Sequence, residues 1–383
     1  MTGWLHGRLR FDRNEFSGAF GDIGTDFPLL VGMILVAGLD VTSSLVLFGA
    51  MQIFTGLFYG IPMPAEPLKA MAVIVITQKI SAGVLYGGGL AIGILMLLLT
   101  LTGLIDWLAR AVPKVVVRGI QLGLGLQLAQ LALKDYVPAD SRAGLVLAGI
   151  SFVLIVALLG NRRFPPAVFV ILLGVGYGLF FKIHPADLAQ SFGLTFPHFH
   201  LPAKQDILTG LVILAIPQLP LSLGNSILAT RQVAEDFYPD RSFSVRQIST
   251  TYSLMNLVNP FFGGIPTCHG SGGMVGHYTF GARTGGSVVI YGTMYLALGL
   301  FLSRGFSTVI DLFPKPVLGV ILLFEGLNLI GLIRDMAASK GEFLLVILTG
   351  LLCVGLPYGY VVGLVIGTLL AYLTRRQLTG LNK

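Results

Sequence analysis

Charged residues are scarce in this sequence, which limits the classes of protein it can belong to. Only 11% of the 383 residues are Asp, Glu, Lys or Arg, while 54% are hydrophobic, and the mean hydropathy is +0.83. This composition is typical of polytopic membrane proteins and argues against a soluble enzyme. The few charges inside long apolar runs therefore need a specific explanation.

Cysteine is nearly absent, and a cleavable signal is not evident. Cys268 and Cys353 are the only cysteines, and both lie in apolar stretches, so we expect two small buried side chains rather than a disulfide framework. The basic start, with Arg8, Arg10 and Arg13, runs into an apolar segment without a small-residue cleavage site. We therefore expect the N-terminus to be retained.

The apolar runs predict an all-α membrane protein with fourteen segments, because about 20 apolar residues cross a bilayer and broken helices need fewer. In the first half the segments lie near 18–38, 41–60, 65–79, 83–105, 114–133, 143–159 and 165–182. In the second half they lie near 207–229, 245–262, 267–280, 287–303, 315–332, 342–355 and 357–374.

The distribution of Lys and Arg predicts the orientation of these segments. If the N-terminus is cytoplasmic, 17 of the 25 Lys and Arg residues fall on the cytoplasmic side and seven on the opposite side. The remaining cationic residue, Lys69, lies within a predicted segment. Cationic loops resist translocation, so we expect a multi-pass protein of the cytoplasmic (inner) membrane with both termini inside. This bias also explains the net charge of +7 without a nucleic-acid partner.

The stretch 183–206 lies at the chain midpoint and contains three prolines, as expected of a linker between two halves. Within it, His198 and His200 form a weak metal-binding pattern, because no carboxylate or cysteine accompanies them at ligand spacing. We therefore predict no metal site and no cofactor.

Two short motifs recur at nearly the same spacing in the two halves. Gly-Ile-Pro occurs at 60–62 and again at 264–266, 204 residues later. Gly-Asp at 21–22 corresponds to Gly-Asn at 224–225, 203 residues later. Because each repeat crosses the membrane an odd number of times, the second repeat is inverted relative to the first. Inverted repeats with interrupted segments are typical of secondary transporters, whose sites lie at the interruptions.

The domain organisation follows from this repeat. Residues 1–182 form the first repeat, 183–206 an extracytoplasmic linker and 207–383 the second repeat.

The interrupted segments, the third and the tenth, read PMPAEPLKAMAV at 62–73 and PTCHGSGGMVGH at 266–277. Prolines favour extended backbone followed by a first helical turn, so we expect half-helices to begin near Ala65 and near Ser271. Irregular backbone at membrane depth survives where it lines a cavity. Two helix N-termini facing one cavity supply amide donors and positive potential, which favours an oxyanion ligand.

The candidate substrate-binding residues surround these two half-helix starts. Glycines let backbone approach a ligand closely, and uncharged side chains can donate hydrogen bonds to an oxyanion. The candidates are Thr25, Pro64, Ala65, Glu66, Gln218, Asn225, His269, Gly270, Ser271, Gly272 and Gly273.

Glu66 and Lys69 are expected one turn apart at the start of the first half-helix. One interpretation is a structural ion pair. The other is that Glu66 takes up a proton and then donates to the anion, which would couple transport to protons. His269 is either a ligand donor or a packed polar residue.

Further polar positions lie within the predicted segments, among them three carboxylates and the asparagine that corresponds to one of them. Asp22 and its counterpart Asn225 either cap the opposing half-helices, fix the crossing of segments one and eight, or contact substrate. Asp26 and Glu325 are expected to form interhelical hydrogen bonds. None of these residues predicts a catalytic role.

Four motifs together resemble one family. They are FSGAFGDIGT at 16–25, PMPAEPLK at 62–69, PQLPLSLGN at 217–225, and CHGSGG at 268–273 followed by FGART at 280–284. This set resembles the molybdate transporter family, a branch of the sulfate permease superfamily, over nearly the whole chain. Plant-type members have glutamine where this chain has Glu66 and phenylalanine where it has Asp26.

The resemblance implies the seven-plus-seven inverted fold of uracil permease and the sulfate permeases. It implies a core domain of 14–107 and 207–303, and a gate domain of 108–182 and 304–376. It also implies a homodimer in the lipid bilayer and a movement of core against gate. Molybdate would be the substrate, with tungstate and sulfate as related oxyanions. Sulfate permeases usually carry a regulatory domain after the last helix, and the resemblance to the molybdate branch leads us to expect none here.

Other functions compete with this interpretation. A nucleobase carrier would share the architecture but places carboxylates on segments eight and ten, where 216–229 and 266–278 have none. A sulfate transporter and an anion channel stay open. An intramembrane hydrolase would use Ser271 with His269 or His277, but would leave the repeat unexplained.

Overall fold

The computed structural model describes residues 7–105, 107, 111–158, 166–181, 192–305 and 314–380. Its first half contains helices α1 (Arg13–Gly18), α2 (Ile23–Ala37), α3 (Val41–Tyr59), α4 (Lys69–Gln78), α5 (Ala82–Thr102), α6 (Lys114–Tyr136), α7 (Ser141–Leu158) and α8 (Pro166–Phe181). Its second half contains α9 (Lys204–Phe237), α10 (Val245–Val258), α11 (Ser271–Thr279), α12 (Gly286–Phe301), α13 (Lys315–Met336), α14 (Lys340–Gly355) and α15 (Gly359–Gly380). Two short strands, β1 (Ala65–Pro67) and β2 (Thr267–His269), precede α4 and α11.

Each of the fourteen predicted segments overlaps one of the helices α2 to α15. Six helices of the described part are long and apolar enough to cross a membrane, namely α3, α5, α6, α7, α9 and α13. By contrast α4 and α11, with 10 and 9 residues, are too short to cross alone. Part of the predicted linker, residues 183–191, lies outside the described residues.

The helices pack in groups. In one group α3 packs against α12, and α5 packs against α9 and α10. In another, α6 packs against α13 and α14, and α15 packs against α14. Small residues allow the closest approach: a Cβ added to Gly49 would lie 2.5 Å from the carbonyl oxygen of Gly292. This is the close helix contact that small residues permit in membranes.

Helix α9 is irregular in its middle. It contains π-helical turns at Leu211–Ala215 and Ser222–Ala229, on either side of Pro217 and Pro220. Proline removes a backbone donor and displaces the carbonyl one turn earlier, so widened turns beside it are expected. One widened turn carries Gly224, which is exposed and has open space around it.

The interrupted segments meet as an antiparallel pair of strands. Ala65 pairs with His269, Glu66 with Cys268, and Pro67 with Thr267. The expected helix start near Ala65 is therefore wrong, because α4 begins at Lys69. The reason is the proline pattern: a residue before proline disfavours helical backbone, and Glu66 precedes Pro67.

Two side chains hold the strands from opposite sides, and we call Gln52 and Asn256 the strand clamps. Gln52 on α3 donates to the carbonyl of Ala65 (2.6 Å) and accepts from its amide (2.9 Å). Asn256 on α10 bonds in the same way to the carbonyl (2.6 Å) and amide (3.0 Å) of Thr267. The clamps are 204 residues apart, which is the spacing of the sequence repeat.

Asn256→Ala should destabilise the protein, because it leaves the buried amide and carbonyl of Thr267 without their partner. Each unpaired buried group costs about 1–3 kcal/mol, so the thermal unfolding temperature in detergent should fall by several degrees. Ser253→Ala is the control, since Ser253 is buried on the same helix but donates only to the Ser249 carbonyl of its own helix. Equal unfolding temperatures for Asn256→Ala and the parent would contradict a structural role for the clamp.

Candidate functional site

The first turn of α11 is the most open part of the interrupted region. The amide of Gly273 donates to Glu66 Oε1 at 2.7 Å. The first amides of a helix have no acceptor within it, and those of Ser271 and Gly272 make no hydrogen bond to any residue that the structure describes. Gly272 is exposed, and a Cβ there would meet only Glu66 Oε1, at 4.0 Å. This turn therefore has room for a ligand and donors for an anion.

The start of α4 is already occupied by the protein. Gln218 Oε1 accepts from the amides of Ala70 (2.9 Å) and Met71 (3.2 Å). The other end of the same side chain donates to Ser222 Oγ at 3.1 Å. These two amides are thus paired rather than free, contrary to our expectation for both half-helices. The positive end of α4 still adds to the local potential.

Glu66 lies in β1 and not in the first turn of α4, so its expected position on the helix is wrong. Its carboxylate instead crosses to the start of the other half-helix. Lys69 Nζ lies 3.7 Å from Glu66 Oε2 and 3.5 Å from Glu325 Oε1 of α13. The expected ion pair of Glu66 and Lys69 is present, and it includes a third member.

Asp22 and Asp26 bring two more carboxylates to this place. Asp22 Oδ2 would lie 2.2 Å from a Cβ on Gly273, so it borders the first turn of α11. One oxygen each of Asp22, Asp26 and Glu66 lies within 4.8 Å of the other two. Asp26 has no hydrogen-bond partner among the described residues, so the interhelical hydrogen bond expected of it is wrong. We call Asp22, Asp26 and Glu66 the acid cluster.

The remaining candidates divide into two groups. Asn225 borders the open turn, since its Oδ1 accepts from Ser271 Oγ at 3.3 Å, and Thr25 lies half-buried in the first turn of α2. Ala65 and His269 are instead bonded away from that turn. Ala65 pairs with its clamp, and His269 Nε2 lies 2.7 Å from Thr251 Oγ1.

Two candidates lie in the backbone that leads into the site. Pro64 is buried just before β1. Gly270 is the residue before α11, and a Cβ there would lie on the Glu66 carboxylate. Only glycine therefore lets Glu66 approach α11 this closely.

A cavity of about 420 Å³ lies between α6 and α9 and is lined in part by Asn225, which borders this site. Its lining includes Lys114, Arg118 and Gln121 on α6, and Gly224 and Asn225 on α9. The lining of the cavity thus includes two cations of α6 and Asn225, the hydrogen-bond partner of Ser271.

The two cations of the cavity share a single carboxylate. Asp335 accepts from Arg118 through both oxygens (2.6 to 3.1 Å) and from Lys114 at 2.7 Å. Arg118 also donates to Gln121 at 2.8 Å. Two positive charges against one negative charge leave a net positive lining.

The chemistry of a serine hydrolase is not present among the described residues. Ser271 Oγ donates to Asn225, His269 is bonded to Thr251, and His277 Nδ1 lies 3.1 Å from Ser287 Oγ. A nucleophilic serine needs a base within hydrogen-bond reach, and Ser271 has no bonded histidine there.

Sequence reasoning missed Gln52, Asn256 and Arg118. The clamps carried a usable signal, because a polar residue stands in each half at the spacing of the Gly-Ile-Pro repeat. Arg118 was read only as a topology signal, and its place in the cavity depends on how α6 packs.

Comparison with known proteins supports a family assignment. The model of the family described as "Molybdate transporter of MFS superfamily" matches residues 14–128 and 210–329. "Molybdate transporter 2" of Arabidopsis thaliana is 32% identical over 90% of this chain and 84% of its own length. "Molybdate transporter 1" of the same plant is 31% identical over 93% and 87%. "Molybdate transporter 1" of Chlamydomonas reinhardtii is 25% identical over 92% and 90%.

Solved structures share the fold. The transmembrane domain of the cyanobacterial bicarbonate transporter BicA has a TM-score of 0.67 at 17% identity, covering 95% of this chain and 98% of that one. Murine Slc26a9, an anion transporter solved in the inward-facing state, has a TM-score of 0.71 at 14% identity, covering 99% and 72%.

These likenesses show the fold alone. The chain accordingly has the seven-plus-seven inverted-repeat fold of these transporters. Because the family model matches both repeats and the Arabidopsis relatives align over nine-tenths of the chain, this chain belongs to the molybdate transporter family.

Proposed function

We propose that the chain is a secondary active transporter that takes up molybdate and holds it at the first turn of α11, opposite the start of α4. The observation that carries this proposal is the exposed Gly272 beside the unpaired amides of Ser271 and Gly272. The relatives named as molybdate transporters support the choice of substrate. Tungstate and sulfate are also tetrahedral dianions, and a sulfate transporter of the same fold is the alternative.

The chemistry of the turn suits a weakly held dianion. A helix N-terminus carries about half a positive charge and presents main-chain donors. The hydroxyl of Ser271 and the side chain of Asn225 add polar groups without fixed charge. Lys69 is the nearby cation, and it is engaged with two carboxylates. Such a site binds the anion and still releases it during each transport cycle.

The cavity provides the path between this site and one side of the membrane. By the Lys and Arg distribution, that side is the cytoplasm. We assign α9 to a core domain (14–107 and 207–303) and α6 to a gate domain (108–182 and 304–376). The cavity then lies at the boundary between the domains, and sliding of the core past the gate would close it and open the other side. The separate packing groups of α5 with α9 and of α6 with α13 support this division.

Gly272→Val should abolish molybdate binding without unfolding the protein. The side chain would project into open space beside the two amides, so it blocks the anion without a clash. Isothermal titration of purified protein measures the binding, and thermal unfolding reports the fold. The parent should bind molybdate, and titrations with tungstate, sulfate and uracil define its substrate class.

The control for this substitution is Gly149→Val on α7, because Gly149 also has open space around it and is distant in the chain from the site. This variant should bind molybdate as the parent does. Normal binding by a folded Gly272→Val protein would place the anion elsewhere.

Arg118→Gln should weaken molybdate binding by about tenfold at low salt, because a charged cleft concentrates its counter-ion by at least that factor. The difference should shrink at high salt, where screening removes it. Isothermal titration at two ionic strengths measures both effects. Arg246→Gln removes an exposed arginine of α10 and is the control. If Arg118→Gln and the parent bind molybdate with equal affinity at low salt, the positive charge of the cavity does not attract molybdate to its site.

We also propose that uptake is coupled to protons through Glu66. Its carboxylate occupies the Gly273 amide at the anion site, so an ionised Glu66 both uses a donor and repels a dianion. Protonation removes the repulsion, and a protonated Glu66 can donate a hydrogen bond to the anion.

Glu66→Gln should uncouple molybdate entry from proton entry. Glutamine still accepts from the Gly273 amide but does not titrate, so proteoliposomes should take up molybdate without acidifying their lumen. A trapped pH-sensitive dye and radioactive molybdate measure the two fluxes. If the lumen acidifies as much per molybdate as with the parent, Glu66 is not the coupling group.

The assembly and location complete the proposal. The protein is multi-pass in a membrane, and we propose the cytoplasmic membrane with both termini inside, supported by 17 of 25 cationic residues on that side. A homodimer is proposed from the family resemblance.

A further inference from the structure

The acid cluster brings three buried carboxylates together in the described structure. Asp22 and Asp26 come from α2 and Glu66 from β1, and all three are buried, with exposures of 4%, 0% and 0%. One oxygen of each lies within 4.8 Å of the other two. The cluster lies directly behind the first turn of α11, because a Cβ on Gly273 would meet both Asp22 and Glu66.

Asp26 provides an independent observation that a ligand belongs there. Both of its oxygens are buried and have no hydrogen-bond partner among the described residues. Asp22 Oδ2 and Glu66 Oε2 are also buried without a hydrogen bond. A carboxylate that receives no donor in a dry interior is strongly disfavoured as an anion. Asp26 is therefore aimed into the cluster without a donor from the described residues, and a proton on Asp22 or Asp26 is what would join these two side chains by a hydrogen bond.

The charges around the cluster do not balance it. Lys69 is the cation that interacts with Asp22 and Asp26 among the described residues, and Glu325 of α13 shares it. Four carboxylates against one ammonium would leave three uncompensated negative charges. The other titratable groups around the cluster are Cys268 of β2, Tyr291 and Tyr295 of α12, and His277 of α11 beyond Tyr291. Thiol and phenol groups add no positive charge at neutral pH.

We propose that Asp22, Asp26 and Glu66 together form the binding site for the coupling proton, with the proton shared among them and Asp26 as an essential member. The proposal rests on the proposed molybdate site and extends the role of Glu66 to the whole cluster. Ionised carboxylates this close repel one another, so one proton among them relieves the repulsion of all three. A proton on any of them lowers the negative charge behind α11.

The position of the cluster explains how proton and anion binding favour each other. Without the proton, the negative cluster lies against the turn that must accept a dianion, so the turn resists binding of the anion. Once the proton is bound, the repulsion between the cluster and the anion falls. Glu66 can then release the Gly273 amide, which donates to the anion instead. Binding of each ligand then strengthens binding of the other by the same factor. Molybdate affinity should rise as the pH falls.

A proton fits the cluster better than a metal ion. The ammonium of Lys69 lies 3.7 Å from Glu66 and would repel a metal ion held by the same carboxylate. Hard cations also require about six oxygen ligands, and the cluster offers three side chains. Binding of a sodium ion by the cluster in place of the proton would overturn the proposal.

The first experiment measures protons taken up when molybdate binds to the purified parent. Isothermal titration in buffers of different ionisation enthalpy gives this number directly. We expect net proton uptake with the parent and its loss with Asp26→Asn, whose molybdate affinity should no longer rise at low pH. Asp40→Asn makes the same chemical change at the cap of α3, where asparagine also caps well, and should behave as the parent.

The second experiment uses proteoliposomes with a trapped pH-sensitive dye. Asp26→Asn should carry molybdate without acidifying the lumen. If Asp26→Asn acidifies the lumen as much per molybdate as the parent does, the shared proton site of the cluster is wrong. If Glu66→Gln is uncoupled in the same assay, Glu66 alone is the coupling group. Uptake that needs a sodium gradient and binds no proton would also overturn the shared proton site.

Two further results separate the possible failures. If the parent protein binds molybdate without taking up protons in any buffer, the inference is wrong. This test needs no variant, so it still decides the question if the Asp26→Asn protein does not fold. Parent protein that binds no molybdate refutes the proposed function itself.

Discussion

The paired strands at the centre of the molecule set the geometry on which the site depends. β1 and β2 bring the two interrupted segments together, and the clamps Gln52 and Asn256 satisfy the backbone groups that three-residue strands leave unpaired. Unpaired main-chain groups at membrane depth are costly, so this arrangement fixes where α4 and α11 begin. It also places Glu66 of one repeat at the helix start of the other. The inverted repeats thus build one site from two halves.

The two half-helix starts are related by the repeat but differ in chemistry. Gln218 closes α4 with a neutral acceptor, whereas α11 faces a carboxylate that can gain a proton. A neutral cap is permanent, while a titratable acceptor can be exchanged for a substrate anion. This asymmetry favours the proposed placement of the anion at α11. Glycines occupy 270, 272 and 273 at the start of α11, while the matching positions of the first repeat carry Glu66, Leu68 and Lys69.

Much of the fold follows from the sequence alone. The fourteen apolar runs coincide with helices because bilayer thickness fixes segment length, and the Gly-Ile-Pro repeat located both interruptions. The position of Glu66 was missed because strand pairing with the distant residue Cys268, together with Pro67, prevents the helix that the local charge pattern suggests. The lack of a hydrogen-bond donor to Asp26 among the described residues and the place of Arg118 in the cavity depend on tertiary packing, which no single segment encodes. Open space at Gly272, by contrast, agrees with the glycine-rich pattern.

Lys69 has a consequence for the transport cycle that follows from its two partners. Glu66 belongs to the proposed core, while Glu325 on α13 belongs to the proposed gate. The ammonium thus ties the two bodies together within the membrane, and any sliding between them must stretch or break the contact with Glu325. Its strength would depend on how much negative charge the core retains, because a neutralised core leaves Lys69 more strongly drawn to the gate. The same lysine that balances the binding site would then act as a brake on the movement between its two faces.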